Sequence, residues 1–134
     1  MAATKAALSE GIVTGGGVTL VNLSATLSNT DNGARIVKAA LKAPFIHIME
    51  NAGLNSQALL AQVEAAKPGF GVNVMRPEDG LVDLKKAGVI DPAKVTKEAI
   101  KNATSIAATA ITMGALICEI PEEKPQMPAG PEMY

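Results

Sequence analysis

Three consecutive glycines, Gly15 to Gly17, interrupt the stretch EGIVTGGGVTL between Glu10 and Leu20. Because glycine has no Cβ, such a run allows the backbone to approach a neighbouring group very closely. A P-loop would need Lys followed by Ser or Thr after the last glycine, and a dinucleotide-binding loop would need G-x-G-x-x-G spacing. Neither pattern is present. The residues themselves leave two alternatives, a structural turn or a close approach to a ligand.

The apolar side chains available for a core are mostly small and aliphatic. Hydrophobic residues make up 48% of the 134 residues, aromatic residues only 2%, and 23 residues are alanine. A chain of this length is one domain's worth and can bury a core. Small aliphatic side chains suit closely packed helices, so we expect a mainly α-helical fold.

Composition also excludes several classes of function. The net charge is −1 and the lysines are scattered among acids, which argues against the basic face that nucleic-acid binding requires. No apolar run approaches the roughly 20 residues of a membrane span, and the N-terminus lacks the apolar stretch of a signal peptide. The single cysteine, Cys118, cannot form an internal disulfide, which favours a reducing, cytoplasmic location. One histidine and one cysteine far apart make a metal site improbable.

Helical periodicity and helix-ending residues divide most of the chain into helices. Pro44 should open a new helix, because proline is tolerated in a first turn and not in a helix interior. Asn55 or Ser56 can cap the helix that follows. The predicted helices are Ala2–Glu10, Val18–Leu27, Ala34–Lys42, Phe45–Asn51, one beginning after Asn55 and ending before Lys67, a brief one at Leu81–Ala87, and one from Pro92 to about Met113.

Short β-branched runs predict a few strands. Phe70 to Met75 alternates and reads as a short strand, Val89-Ile90 as a second one, and Ala115–Ile120 as a terminal strand. Asp91 before Pro92 is typical of an N-cap. We expect a small β-hairpin, a C-terminal strand with Cys118 buried in it, and a disordered proline-rich tail from 121 to 134.

In order along the chain, "EGIVTGGGVTL", "FGVNV" and "AGVIDPAKVTKEAIKNATSIAATAI" resemble the C-terminal part of the equatorial domain of group I chaperonins, the bacterial GroEL type. The resemblance covers residues 1–120. It departs from the family in a shortened turn around Thr30, a small insertion between Met75 and Leu84, and a tail without Gly-Gly-Met repeats.

The resemblance implies a nucleotide site. It places Gly15 and Gly16 against bound ATP, and Asn73, Val74 and Met75 beside the adenine. Asp91 matches an acid that hydrogen-bonds the ribose hydroxyls. Ile48 and Val89 match residues that make apolar contacts to the purine.

Each of these residues also has an ordinary structural role. Asp91 is equally explained as an N-cap, and Asn73 as a polar residue of an edge strand. By default Ile48 and Val89 would be core residues. His47 is expected to be a partly exposed helix residue and not a general base.

The parts that the family uses for hydrolysis are not in this chain. The resemblance implies that phosphates and Mg²⁺ are held by an Asp-Gly-Thr-Thr-type motif, which this sequence lacks, and that the water-activating aspartate lies just upstream of Met1. The domains that would meet unfolded client proteins and a co-chaperonin are absent as well. We therefore expect part of an ATP-dependent folding machine that contacts other chaperonin subunits but does not hydrolyse ATP alone. The alternative is a stand-alone helical interaction module. The isolated chain is expected to form a small homo-oligomer.

Overall fold

Helices dominate the protein, for which a computed structural model describes residues 2–119. The mainly α-helical prediction is confirmed. In chain order the elements are α1 (Ala2–Glu10), β1 (Ile12–Thr14), α2 (Val18–Thr26), α3 (Asn32–Asn51), α4 (Ser56–Ala65), β2 (Phe70–Val72), a 3₁₀ turn (Pro77–Asp79), β3 (Leu81–Asp83), β4 (Ile90–Pro92) and α5 (Ala93–Thr112).

The core lies between α2, α3 and α4, with the β2–β3 hairpin against it. Phe45 and Met49 of α3 are fully buried and are the largest side chains in this core. Small aliphatic residues fill the space around them, as the composition predicts: Val18, Val21, Leu60, Val63, Val72 and Leu84.

Helix α3 runs without a break through Pro44, so the two helices predicted on either side of that proline are one. Proline in a helix interior removes one backbone hydrogen bond and crowds the preceding turn, at a cost of about 3 kcal/mol. Burial of Phe45 and Met49 directly after it offsets this cost, because both side chains reach the core only if the helix continues. Asp31 caps the start of α3 by accepting a hydrogen bond from the Ala34 N–H at 3.1 Å.

The strands form two separate antiparallel pairs, β1–β4 and β2–β3. The predicted hairpin exists, but β2 pairs with β3, in the order Phe70↔Asp83 and Val72↔Leu81, and not with Val89-Ile90. The brief helix predicted at Leu81–Ala87 is therefore wrong. Its first half is a strand, and Asp83 ends that strand by accepting a hydrogen bond from the Lys85 N–H at 3.1 Å.

Strand β1 was not foreseen, and it is the partner of β4. Val13 lies opposite Asp91, and Thr14 opposite Ile90. The stretch is three residues long and follows a helix directly, which is too short for an alternating pattern to be read.

The predicted C-terminal strand does not form in the described residues. Residues 115–119 have neither helical nor strand structure, and Cys118 is exposed instead of buried. A strand needs a neighbour to satisfy its backbone groups, and among residues 2–119 no strand pairs with this segment. Ile120 and the tail 121–134 lie outside the described residues.

The glycine turn joins β1 to α2 and is held against two other elements. Gly15 donates its N–H to the carbonyl of Val89 at 3.0 Å. Gly17, the N-cap of α2, has φ +76°, and a Cβ there would stand 2.8 Å from the backbone nitrogen of Phe45. The turn thus requires glycine for both its conformation and its packing.

Substituting Gly17 tests this close approach. We expect Gly17→Ala to lower the free energy of unfolding by about 2–5 kcal/mol, from left-handed strain of about 1–2 kcal/mol plus overpacking against α3. Gly53→Ala is the matched control, because Gly53 has a similar φ of +73° with no atom within 4 Å of a Cβ. Urea unfolding of both variants should show the larger loss at Gly17. Equal losses would mean that the contact with α3 contributes nothing.

Helices α1 and α5 are joined by an ion pair between Glu10 and Lys97, whose Nζ lies 2.6 Å from Oε2. The hydrogen bond and the charge of Glu10 raise the pKa of Lys97 above its ordinary value of 10.5. A raised pKa means that the folded state holds the proton more tightly than the unfolded state. The stabilisation is therefore complete below pH 10.5 and is lost as pH rises through the folded-state pKa.

Lys97→Met should therefore lower the melting temperature slightly at pH 8, and the difference from wild type should shrink by pH 11.5. Lys94→Met is the control, since no ion pair of Lys94 is found within residues 2–119. Thermal melts at both pH values measure the effect. If the difference in melting temperature between Lys97→Met and wild type persists unchanged at pH 11.5, packing of the aliphatic stem causes it instead.

Candidate functional site

A cleft of about 290 Å³ opens between α2, α3 and α5, next to the β1–β4 pair. The larger apolar residues of its lining are Leu20, Pro44, Ile48 and Val95. Polar residues of the lining are Thr14, Thr19, Asp91 and Thr96, and the small residues Gly17 and Ala99 complete it. A lining that combines aliphatic residues with an aspartate and threonines suits a ligand with one flat apolar part and one hydroxylated part.

Asp91 is the charged residue of this cleft, and it does not cap α5. Its predicted N-cap role is wrong, because α5 begins at Ala93, the N-cap is Pro92, and no side chain caps the helix. The Ala93 N–H instead donates to the carbonyl of Gly11 at 3.0 Å, so β-pairing extends one residue further than the sequence indicates. No hydrogen bond or ion pair of the exposed Asp91 carboxylate is found in residues 2–119, which leaves it available to a ligand.

A hydrogen bond links two of the threonines in the cleft. Thr19 donates its hydroxyl to the carbonyl of Thr14 at 2.7 Å, which ties the first turn of α2 to the end of β1. Thr14 itself is nearly buried, with 7% of its surface exposed. These contacts fix the cleft wall beside the glycine turn.

The structure brings the predicted site residues together in separate groups. Ile48 and Asp91 both line the cleft, from α3 and β4. Gly15, Gly16 and Val89 form a second group, since Gly15 is hydrogen-bonded to Val89 and a Cβ on Gly16 would lie 3.8 Å from the Val89 side chain. This group adjoins the cleft at Gly17 but does not line it.

Asn73, Val74 and Met75 form the third group, directly after β2, and none of them lines the cleft. Asn73 accepts a hydrogen bond from the Met75 N–H at 3.0 Å, so its side chain shapes a turn and not the edge of a strand. Val74 packs against the core, whereas Met75 is 84% exposed.

Several cleft residues were not singled out from the sequence. Thr14 and Gly17 flank the predicted glycines directly, and Val95, Thr96 and Ala99 follow Asp91 at positions +4, +5 and +8. The second spacing is that of one helix face, so continuing α5 from Asp91 would have found those three residues.

Other side chains that could carry chemistry lie apart from the cleft. His47 is exposed, as expected, and its Nδ1 lies 3.4 Å from Glu50. Within residues 2–119, no three His, Cys, Asp or Glu side chains gather as metal ligands. No helix in that range has the length and apolarity needed to cross a bilayer.

Comparison with known proteins shows the family. The model of the TCP-1/cpn60 chaperonin family matches residues 1–121. The chain therefore belongs to the TCP-1/cpn60 chaperonin family. The match shows the chaperonin family and does not by itself single out group I.

Two solved structures are similar to the chain. One is a group III chaperonin in the open state, 28% identical, with a TM-score of 0.75 over 84% of this chain. The other is the open-state monomer of a group II chaperonin from Methanococcoides burtonii, 24% identical, with a TM-score of 0.67 over 76% of this chain, and it shows the fold alone. The matched regions are 25% and 28% of those chains, so this chain corresponds to about a quarter of their length.

Two alanine substitutions distinguish Asp31, which caps a helix, from Asp91, which does not. Asp31→Ala removes a real N-cap and should lower the free energy of unfolding by about 1 kcal/mol. Asp91→Ala should change it by less than about 0.5 kcal/mol, as expected for an exposed residue without partners. Urea unfolding measures both. An equal loss for the two variants would contradict the structural assignment of Asp91.

Proposed function

We propose that the chain is the C-terminal part of the equatorial domain of an ATP-dependent group I chaperonin and supplies the nucleoside side of its ATP site. The observation that carries the proposal is that Ile48 and Asp91, which does not cap α5, both line one cleft of a chain that belongs to the chaperonin family.

The chemistry of the cleft supports a nucleoside as the ligand. A carboxylate can accept a hydrogen bond from a ribose hydroxyl, and a charged hydrogen bond of this kind contributes about 1.5–3 kcal/mol. Aliphatic side chains such as Ile48 can pack against the flat face of a base. The cleft volume of about 290 Å³ is near the lower end for small-molecule sites, which fits the nucleoside better than the whole nucleotide.

We propose that the other six predicted residues contact the nucleotide at the margin of the cleft. The adjacency of Gly15, Gly16 and Val89 supports this, because a glycine backbone beside an aliphatic side chain allows close approach of a planar ligand. Asn73, Val74 and Met75 are assigned by the family resemblance alone.

Phosphate and metal binding are assigned to other segments of the complete protein. The chain contains no Asp-Gly-Thr-Thr sequence, and its described residues hold no carboxylate cluster suited to Mg²⁺. Bound Mg²⁺-ATP would bring the hydrolysis chemistry, whereas the residues of this chain would hold and orient the nucleoside. In the complete protein we further propose contacts with other chaperonin subunits, and access to client proteins and a co-chaperonin through domains that this chain does not include.

The group I assignment rests on the three sequence motifs described above. Gene context separates the full proposal from its alternative, a helical interaction module that works alone. An upstream reading frame that carries the Asp-Gly-Thr-Thr motif supports the chaperonin proposal, and its absence supports the module.

Nucleotide affinity of the complete protein tests the site. Asp91→Ala should weaken ATP binding about 10- to 150-fold, the equivalent of 1.5–3 kcal/mol. Gly16→Val should block binding, because a side chain at Gly16 would crowd Val89, which lies 3.8 Å from a Cβ there and belongs to the same proposed contact group. Isothermal titration calorimetry gives both affinities, and the isolated chain should show no ATP turnover.

Asp31→Ala is the control, because Asp31 is an exposed aspartate that caps α3 and does not line the cleft. Its ATP affinity should equal that of the wild type. Unchanged affinity in both Asp91→Ala and Gly16→Val would show that the nucleotide binds elsewhere.

A further inference from the structure

Asn32 and Gly33 form the one Asn-Gly pair of the sequence. They are the first two residues of α3, and both are exposed. Asparagine is a thermolabile residue, because the backbone nitrogen of the following residue can attack its side-chain amide. Glycine in the following position has no Cβ to obstruct this attack. Whether the reaction occurs therefore depends on how the fold holds these two residues.

The backbone nitrogen of Gly33, which would be the nucleophile, donates no hydrogen bond within residues 2–119. The first N–H groups of a helix have no partner in a preceding turn, so side chains or water must satisfy them. The Asp31 carboxylate accepts from the Ala34 N–H at 3.1 Å, and the Asp31 carbonyl accepts from the Arg35 N–H at 3.1 Å. The helix cap therefore leaves the nitrogen of Gly33 without a partner.

The side-chain amide of Asn32 is unpaired as well in the part of the chain that the structure describes. Nearby Asn29 differs from it in two respects. Its side-chain oxygen accepts a hydrogen bond from the Lys38 Nζ at 3.1 Å, and it is followed by Thr30 instead of glycine. The branched side chain of Thr30 crowds the nitrogen that would have to attack.

The five other asparagines of the chain are held in ways that oppose the reaction. Asn22 and Asn102 lie inside α2 and α5. The N–H that follows Asn51 donates to two carbonyls of α3, both at 3.2 Å. The side-chain oxygens of Asn55 and Asn73 accept hydrogen bonds from backbone N–H groups at 3.1 Å and 3.0 Å. Each of these contacts must break before the side chain can react.

We propose that Asn32 is a self-modification site, at which the chain deamidates without an enzyme and at a rate set by the first turn of α3. The nitrogen of Gly33 loses its proton to a base in solution and attacks the side-chain carbon Cγ of Asn32. A succinimide ring forms as the bond from Cγ to the side-chain nitrogen breaks, and ammonia leaves with a proton from solvent. Water then opens the ring at either carbonyl and produces aspartate or isoaspartate. The net reaction consumes one water and releases one ammonia.

The first turn of α3 controls this reaction, because the ring closes only when the backbone of Asn32 leaves its helical conformation. Opening of a terminal turn costs little compared with global unfolding, and the Asp31 cap opposes it. The Asp31 carboxylate also lies close to the nucleophile, since a Cβ on Gly33 would stand 3.0 Å from Oδ2. Its negative charge disfavours loss of the proton from the Gly33 nitrogen. Asp31 thus slows the reaction through both the cap and its charge.

The two products should affect α3 in opposite ways. Isoaspartate adds one carbon to the backbone between Asp31 and Gly33, which displaces the Ala34 N–H from the capping oxygen. Aspartate keeps the backbone and places a negative charge in a first turn that contains no acidic residue, where the helix dipole favours it. Neither Asn32 nor Gly33 lines the candidate nucleoside cleft, so the site does not depend on the proposed function.

Mass spectrometry of the 134-residue chain, incubated at 37 °C and pH 7.4, tests the proposal. We expect the mass increase for exchange of NH₂ by OH at Asn32 at least about tenfold faster than at Asn29. Both residues lie in one tryptic peptide, which ends at Arg35, so fragment spectra compare them directly. Asn32→Gln should abolish the fast phase. An Asn32 that reacts no faster than Asn29, or a fast phase that persists in Asn32→Gln, would overturn the proposal.

Two substitutions of Asp31 test control by the first turn. Asp31→Ser keeps a capping oxygen and removes the charge, whereas Asp31→Ala removes both. Asn32 should therefore react about fivefold faster in Asp31→Ala than in Asp31→Ser, the factor that corresponds to loss of a helix cap. Equal rates in the two variants would show that opening of this turn does not set the rate.

Asp79→Asn is the matched control for the unpaired nitrogen of Gly33. It creates a second exposed Asn-Gly pair in the same chain, but the N–H of Gly80 donates to the carbonyl of Pro77 at 3.2 Å. This second pair should react more slowly than Asn32. A rate equal to that of Asn32 or above it would mean that the dipeptide alone determines reactivity, and it would overturn the role assigned to the structure.

Discussion

The contact between the backbones of Gly17 and Phe45 is the constraint on which the rest of the structure depends. A side chain at position 17 would collide with α3 at 2.8 Å, so glycine alone permits the start of α2 to lie against that helix. The same turn leads back into β1, whose pairing with β4 directs the chain into α5. One short segment therefore sets the relative positions of α2, α3 and the β1–β4 pair, and the candidate nucleoside cleft lies between these elements.

Features that depend on neighbouring residues in sequence could be predicted well. Helix α1 has the predicted bounds, and Asn55 caps α4 as expected, because capping needs only a side-chain oxygen and an N–H three residues later. The small aliphatic core also follows from composition. Local chemistry determines these features almost completely, so a single sequence is enough to find them.

Features that depend on distant residues could not be predicted in the same way. Asp91 followed by proline has the local pattern of an N-cap, yet the pairing of Val13 with Asp91 makes it part of a strand. Pro44 predicts a helix boundary, yet burial of Phe45 and Met49 keeps α3 continuous. In each case tertiary contacts outweigh a local preference worth about 1–3 kcal/mol.

The sequence could name some residues of the candidate site but could only partly predict how they are arranged. The family resemblance pointed to Ile48 and Asp91, which are 43 positions apart and meet in the cleft, but it could not show that Gly15, Gly16 and Val89 form a neighbouring group. An apolar groove of about 410 Å³ between α3 and α5 shares Leu20, Pro44 and Ala99 with the cleft. Whatever packs into the groove therefore contacts residues that also form the cleft wall. Val95 and Thr96 of the cleft lie on the same helix, α5, as the groove residues Ile100 and Ala103, so one helix forms part of both cavities.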